Sequence, residues 1–317
     1  MSSFRKANWK LIIRWVGTVL SVLLLAYLVV TAGVDEMLRT LGKLSLRSIL
    51  AVIGLIFVSR LATFARWHVL LQIEKVQVNW RDSLRLTFAG LFAANFLPST
   101  IGGDVVRLAG AMRIGISGSL AAASLLVDRL IGMAGMAVVF PFGFKPLMTI
   151  LNLEQTSMSG GWQSTALLTS GKGLWGRVKK ILRKVLDALS YWYRHPRYLF
   201  FAMLFTFVHM ACIFFIIQIL VTDMGESIPF WTTAGLWSLT YFITLVPISI
   251  NGLGLQELSI TSVFPLFGGL SHSTSLSVAL IIRGLWIIGS LPGAFFVSGI
   301  LSGDTYTQLS QDKNEGE

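Results

Sequence analysis

Asn95-Phe96-Leu97-Pro98-Ser99-Thr100-Ile101-Gly102-Gly103-Asp104-Val105-Val106-Arg107 is the stretch on which the fold turns. An apolar run stops at Pro98, loosens at Gly102 and Gly103, and then presents an acid and a base, Asp104 and Arg107. Proline lacks a backbone donor and glycine tolerates dihedrals that other residues avoid, so a helix is expected to break here. In a water-soluble domain the stretch would read as helix, turn and helix. The surrounding chain argues against that setting.

Of the 317 residues, 54% are apolar and only 13% are charged, and mean hydropathy is +0.71. Soluble domains carry roughly 25% charged residues. Several apolar runs reach the ~20 residues that a membrane span needs. Only helices and closed barrels satisfy the backbone in lipid, and the alternating segments of a barrel are not visible. The expected fold class is therefore all-α: a polytopic membrane protein with about 6–8 transmembrane helices.

The net charge of +11 comes from 26 Lys and Arg against 15 Asp and Glu. Basic residues flanking spans on the cytoplasmic side explain it without nucleic acid, and no nucleic-acid partner is expected. Arg5, Lys6, Lys10 and Arg14 sit at the start of an apolar run over 11–32, which predicts a retained first span and a cytoplasmic N-terminus. The location expected is the cell inner (plasma) membrane. Cys212, the one cysteine, lies in an apolar run and reads as a small buried side chain.

Further spans are predicted over 46–71, 119–140, 198–222 and 275–301, with shorter apolar pieces over 84–97, 105–115, 230–246 and 258–269. The 46–71 span holds Arg60 and Arg66. Ser59, Thr63 and Arg66 share one face by helical spacing. Arg66 is near enough to the helix end to snorkel toward the interface as an alternative to an inward role, whereas Arg60 lies deeper. Asp128 and Arg129 fall inside 119–140, and Arg283 inside 275–301. The stretch 145–173 reads as a loop with room for a short interfacial helix. Within 172–197, Arg177, Lys179, Lys180, Arg183 and Lys184 accompany an apolar stripe of Val178, Ile181, Leu182, Val185 and Leu189. That pattern predicts an amphipathic helix on the anionic inner leaflet. The expected organisation is a single transmembrane domain over 1–301 and a polar, disordered tail over 302–317.

A second break, Pro247-Ile248-Ser249-Ile250-Asn251-Gly252-Leu253-Gly254-Leu255-Gln256-Glu257, matches the first. Superposing Pro98 on Pro247 sets Gly102 on Asn251 and Gly103 on Gly252. Two halves, about 46–143 and 198–301, then form an internal, inverted repeat. Each half ends in a span with an arginine. The offsets from proline differ slightly: 129 minus 98 is 31, and 283 minus 247 is 36.

Interrupted apolar segments at matching places in two halves point to a substrate site near the midplane. Freed N–H groups and the positive end of the next half-helix can hold an anion there. A plain kink without a ligand is the alternative. Each intramembrane Asp or Arg costs about 2.5–3.5 kcal/mol on insertion scales, so partners are required. Asp104 and Arg107 can pair locally. Asp128 and Arg129 are adjacent and diverge on a helix, so each needs a partner elsewhere. Either the carboxylates near the breaks, Asp104 and Glu257, pair with Arg129 and Arg283, or those arginines face an anionic headgroup. Purely structural ion pairs would also account for the charges.

The motifs "NFLPSTIGGDVVR", "SLLVDRLIGM" and "VPISINGLGLQE" are similar to signatures of the lysylphosphatidylglycerol synthase transmembrane family, also called the flippase-like domain family. The resemblance covers roughly 11–302. In the family's two-part members this region moves aminoacylated phosphatidylglycerol between leaflets, and a cytoplasmic synthase domain follows it. Here it implies the flippase-like half alone. Carried over by position, it implies a headgroup site at Pro98, Gly102, Gly103, Asp104, Arg107, Arg129, Asn251, Gly252, Gly254 and Glu257. The charges in the spans add Asp128 and Arg283. Asp128 stands where Glu is common, and Gln256 where Arg is common, so the second motif lacks a cation. The basic 172–197 stretch is expected on the cytoplasmic side, which requires either a first broken segment that crosses the membrane, the arrangement an inverted repeat favours, or a crossing within 145–173.

The function expected is movement of an anionic or zwitterionic lipid, either a phospholipid or a polyprenyl-phosphate-linked amphiphile. No G-x-x-x-x-G-K-[ST] loop occurs, so the step would be passive, ion-coupled or driven by a partner. Asp104, Asp128 and Glu257 are the candidates for proton coupling. The alternatives are an intramembrane lipid-modifying transferase and a scaffold for a lipid-modifying enzyme partner. No H-E-x-x-H occurs, and His68, His195, His209 and His272 are scattered; His209 reads as a core residue. No catalytic residue, metal or cofactor is assigned.

Overall fold

The computed structural model describes residues 42–73, 78–96, 102–157, 192, 195–246 and 252–297. The expected first span (11–32), Pro98, Asn251, the basic residues Arg177, Lys179, Lys180, Arg183 and Lys184, and the tail (302–317) lie outside the described residues. Among those described, the fold is eight α-helices without a strand. They are α1 (Leu46–Leu71), α2 (Trp80–Phe96), α3 (Gly102–Arg113), α4 (Gly118–Ser157), α5 (Pro196–Asp223), α6 (Phe230–Thr244), α7 (Leu255–Gly268) and α8 (His272–Ser290), with a 3-10 turn, Leu291–Gly293, after α8.

Local chemistry sets the ends. The Ser45 hydroxyl accepts the Ser48 N–H at 3.1 Å and starts α1, and Ser271 accepts from Thr274 N–H at 3.2 Å to start α8. Pro196 occupies the first position of α5, where its missing donor costs nothing. Gly269, at φ 71°, ends α7 in the left-handed region.

Four helices are long and apolar enough to cross a membrane: Leu46–Leu71, Gly118–Gly143, Pro196–Asp223 and His272–Val297. Large apolar side chains cover their outer faces. Phe200, Phe201, Leu204 and Phe207 on α5 and Leu46, Leu50, Val58 and Leu61 on α1 are exposed. A surface of this kind suits hydrocarbon rather than water. The chain is a polytopic all-α membrane protein.

The order of long helix, short helix, break, short helix and long helix occurs twice, as α1–α4 and α5–α8. The halves run in opposite senses. α1 packs along α5 with Lys43 near Met224, Ser59 on His209, and Arg66 on Thr206, so sequence rises along one helix as it falls along the other. Each half then reaches across. The exit helix α4 packs on α6 of the second half, and α8 with its 3-10 turn packs on α2 of the first.

The first broken segment does not cross. α2 and α3 lie side by side as a hairpin, with Gly103 seated against the Gly90 backbone and beside Ala94. A Cβ on Gly103 would strike the Gly90 carbonyl, so the approach requires glycine there. Gly102 and Gly103 are thus buried in the first turn of a helix, packed rather than unwound. α6 and α7 pack on one another in the same way. The inverted relation comes from the antiparallel long helices, with the two hairpins entering from opposite ends of the bundle. Another departure is α4, which continues as helix through 145–157 where a loop was expected.

The α4–α6 crossing is a glycine contact, Gly143 on Gly235. A methyl group on Gly235 would land on the Gly143 backbone, which cannot yield as a flexible side chain does. Gly235→Ala is expected to destabilise the folded protein by at least the ~1–3 kcal/mol typical of overpacking. A thermal midpoint in detergent equal to that of wild type would show that the crossing is looser than described.

Candidate functional site

Each half places an acid on the third residue after its break, at the start of a short helix: Asp104 on α3 and Glu257 on α7. Each also places an arginine 11 residues into the exit helix, since 129 minus 118 and 283 minus 272 are both 11. At 1.5 Å per residue that is about 16 Å, near the middle of a ~30 Å hydrocarbon core. The two meet in both halves. Arg129 Nε donates to Asp104 at 2.5 Å, and Arg283 Nε donates to Glu257 at 2.5 Å. The repeat therefore registers Asp104 on Glu257, an offset of 153 rather than the 149 implied by matching the prolines. Proline matching fails because the acid follows the proline by six residues in the first half and by ten in the second, as 104 minus 98 is 6 and 257 minus 247 is 10.

The first pair belongs to a longer ladder. Asp128 accepts from Arg66 Nε at 2.6 Å and from Arg107 Nη1 at 3.2 Å, and Arg107 Nη1 also reaches Asp104 at 3.3 Å. The order is Arg66, Asp128, Arg107, Asp104, Arg129, with each carboxylate held by arginines on both sides. Arg107 also lies 4.1 Å from the Trp67 ring centre, a cation–π contact. Among the described residues three guanidiniums meet two carboxylates in this ladder. Arg66 turns inward rather than snorkelling: it is a partly buried member of this ladder and also reaches Thr206 Oγ1 at 3.4 Å. Its shared face with Ser59 and Thr63 was the available signal, and both of those side chains approach His209, a hydrogen-bonded core residue.

The second pair is more enclosed. Glu257 also accepts the Gly254 N–H at 2.7 Å, and Arg283 Nη2 reaches the Gly252 carbonyl at 3.3 Å. Gly252 and Gly254 adopt φ of 68° and 78°, which glycine supplies without strain. The side chains of Arg283 and Glu257 are 14% and 1% exposed, against 41% and 18% for Arg129 and Asp104.

That difference has a visible cause. A groove of about 370 Å³ runs between α3 and α4, lined by Val105, Leu108, Ala122, Leu125 and Leu126, with Asp104 and Arg129 at its polar end. Val105 is exposed, so the groove opens on the outer surface of the bundle. An open apolar cleft ending in a half-exposed guanidinium can hold the charged head of an amphiphile while its chains remain among apolar neighbours. Of the residues expected at the site, Asp104, Arg107, Asp128 and Arg129 come together in the first half, and Gly252, Gly254, Glu257 and Arg283 in the second. Gly103 serves the hairpin contact, and Gly102 is buried next to it in the chain.

The model of one protein family, described as the lysylphosphatidylglycerol synthase TM region, matches residues 14–293, most of the chain. The comparison with curated proteins yields no match.

Proposed function

We propose that this chain, which belongs to the lysylphosphatidylglycerol synthase TM region family, moves an anionic or zwitterionic lipid between leaflets. The family is a membrane domain associated with lipid-related function. The observation that carries the finer reading is the Asp104–Arg129 pair at the polar end of an apolar groove open to the bundle surface. Arg129 would take the phosphate, and Asp104 a cationic part of the head where one is present. The acyl or prenyl chains would lie along Val105, Leu108, Leu125 and Leu126. The groove is large enough for a headgroup and too small for a whole lipid, so the tails would extend into the bilayer. Two hairpins entering from opposite ends give each leaflet its own break, as alternating access between repeats requires.

Purified protein reconstituted in liposomes tests this. Fluorescent phosphatidylglycerol and a polyprenyl phosphate, placed in one leaflet, are expected to become accessible in the other faster than in protein-free vesicles. Background rates for both lipids would reject the transport reading. Covalent alteration of the lipid in the same vesicles would point to a transferase instead.

A further inference from the structure

Arg129 has a near neighbour that neither the ion pairs nor the groove uses. Gly132 follows it by three residues in the stretch SLLVDRLIGM, so the two share a face of α4 one turn apart. A Cβ on Gly132 would meet two atoms within 4 Å: Arg66 Nη1 at 3.5 Å and the Tyr241 hydroxyl at 3.8 Å. Both are ordinary contact distances, so the glycine leaves room for at least a methyl-sized group between two polar donors.

Tyr241 belongs to α6, in the other half of the repeat. Ser238 Oγ donates to the Met136 carbonyl at 2.5 Å, and Gly235 sits on Gly143. α6 therefore runs antiparallel to α4 and brings Tyr241 to Gly132. Tyr241 is 11 residues into its helix, since 241 minus 230 is 11, as Arg129 is into α4. The two thus reach the same depth, about 16 Å, from opposite ends of the bundle. The hydroxyl lies within electrostatic reach of Arg66, Arg129 and Asp128. Tyr241 is half-buried, and its hydroxyl makes no hydrogen bond among the described residues. Phenylalanine would serve packing as well, and a tyrosine hydroxyl inside a protein ordinarily has a partner. Arg66 can only donate, and the phenol supplies a second donor. What completes the gap is an acceptor, and beside Arg129 that acceptor suits an oxygen of an anionic group.

We propose that Tyr241 is a headgroup-binding residue contributed by the second half. Its hydroxyl donates to a phosphate oxygen seated over Gly132, while Arg129 holds the same phosphate from the groove. This rests on the reading of Asp104 and Arg129 as the headgroup end of that groove. It adds a contact from α6, so that the head is held by both halves at once near mid-depth. The phosphate is common to a phospholipid and a polyprenyl phosphate.

Two substitutions act at this spot without removing an ion-pair partner. Tyr241→Phe deletes only the hydroxyl, and Gly132→Ala fills the gap. Neither is expected to lower the thermal midpoint in nonionic detergent. The hydroxyl has no partner to lose, the methyl meets its neighbours at contact distance, and alanine suits a helix better than glycine. In liposomes holding the full chain, each variant is expected to move fluorescent phosphatidylglycerol, fluorescent polyprenyl phosphate or both about tenfold more slowly, as loss of a hydrogen bond to a charged group implies. The lipid that is slowed identifies the source of the phosphate. In detergent, dihexanoyl phosphatidylglycerol or farnesyl phosphate is expected to raise the wild-type midpoint, and Tyr241→Phe to need about tenfold more of the same probe. The proposal is overturned if either variant moves both lipids at the wild-type rate, the result expected of a bridging water, or if either midpoint falls well below wild type, which would make the residue structural. If wild type moves neither lipid but a short-chain probe still raises its midpoint through Tyr241, the transport reading fails and the binding role stands. Absence of both movement and a Tyr241-dependent shift overturns both.

Discussion

Asp128→Ala is expected to be the most destabilising single substitution in the charge ladder. The carboxylate is 3% exposed and accepts from Arg66 and from both terminal nitrogens of Arg107, at 2.6, 3.2 and 3.3 Å. Its removal leaves Arg66 without a carboxylate in a part of the bundle where water is scarce. Arg107 retains Asp104 and the Trp67 ring, so most of the cost falls on Arg66. Breaking a buried pair by deleting one partner costs about 3–5 kcal/mol, a large share of the ~5–15 kcal/mol that holds a typical domain together. Thermal unfolding in detergent should register this as a much lower midpoint or as failure to accumulate folded protein. Adding Arg66→Met to Asp128→Ala should recover part of the loss, because the stranded cation is removed with its partner. A single variant as stable as wild type, or a double variant no better than the single, would show that Asp128 does not hold these arginines.

Arg129→Ala is expected to act on function with little effect on folding. Arg129 is the half-exposed end of the ladder, and Asp104 keeps Arg107 when Arg129 is removed. The headgroup would lose one charge-assisted contact, worth about 1.5–3 kcal/mol. At subsaturating lipid that predicts at least a ~10-fold slower movement of fluorescent phosphatidylglycerol in vesicles, since each 1.4 kcal/mol is about tenfold. The mirrored substitution, Arg283→Ala, should differ in kind. Among the described residues it would leave Glu257, 1% exposed, with only the Gly254 N–H, so stability should fall before transport can be judged. Wild-type lipid movement by Arg129→Ala would take the arginine out of the mechanism.

Much of the architecture was legible before any coordinates. The 46–71 span was read at the bounds it has, because an apolar run of that length between a serine cap and a polar loop leaves a helix little choice. The breaks, the repeat and the buried charges were equally visible, since proline, glycine and intramembrane Asp or Arg announce themselves locally. The acid–arginine pairing near each break was one of two readings open from charge alone. The role of Arg66 stays open in the sequence because its distance from the helix end allows snorkelling equally well. Its partner lies 62 residues away, and nothing local points to it. Matching the prolines gave the wrong register, because the two breaks differ in length while the acids keep their place in the following helix.

The chain's own composition determines that it is helical, that it lies in a membrane, and where its helices break at proline and glycine, because these follow from hydropathy, length and backbone chemistry within a short window. Whether a broken segment crosses or doubles back was decided only in three dimensions, where Gly103 meets Gly90 closely enough to seat one half-helix on the other. The same holds for which acid serves which arginine. Ion pairs form wherever packing brings their atoms within reach, and that depends on how the two halves interlock. The opening of one cluster to the surface and the enclosure of the other belong to that interlocking as well.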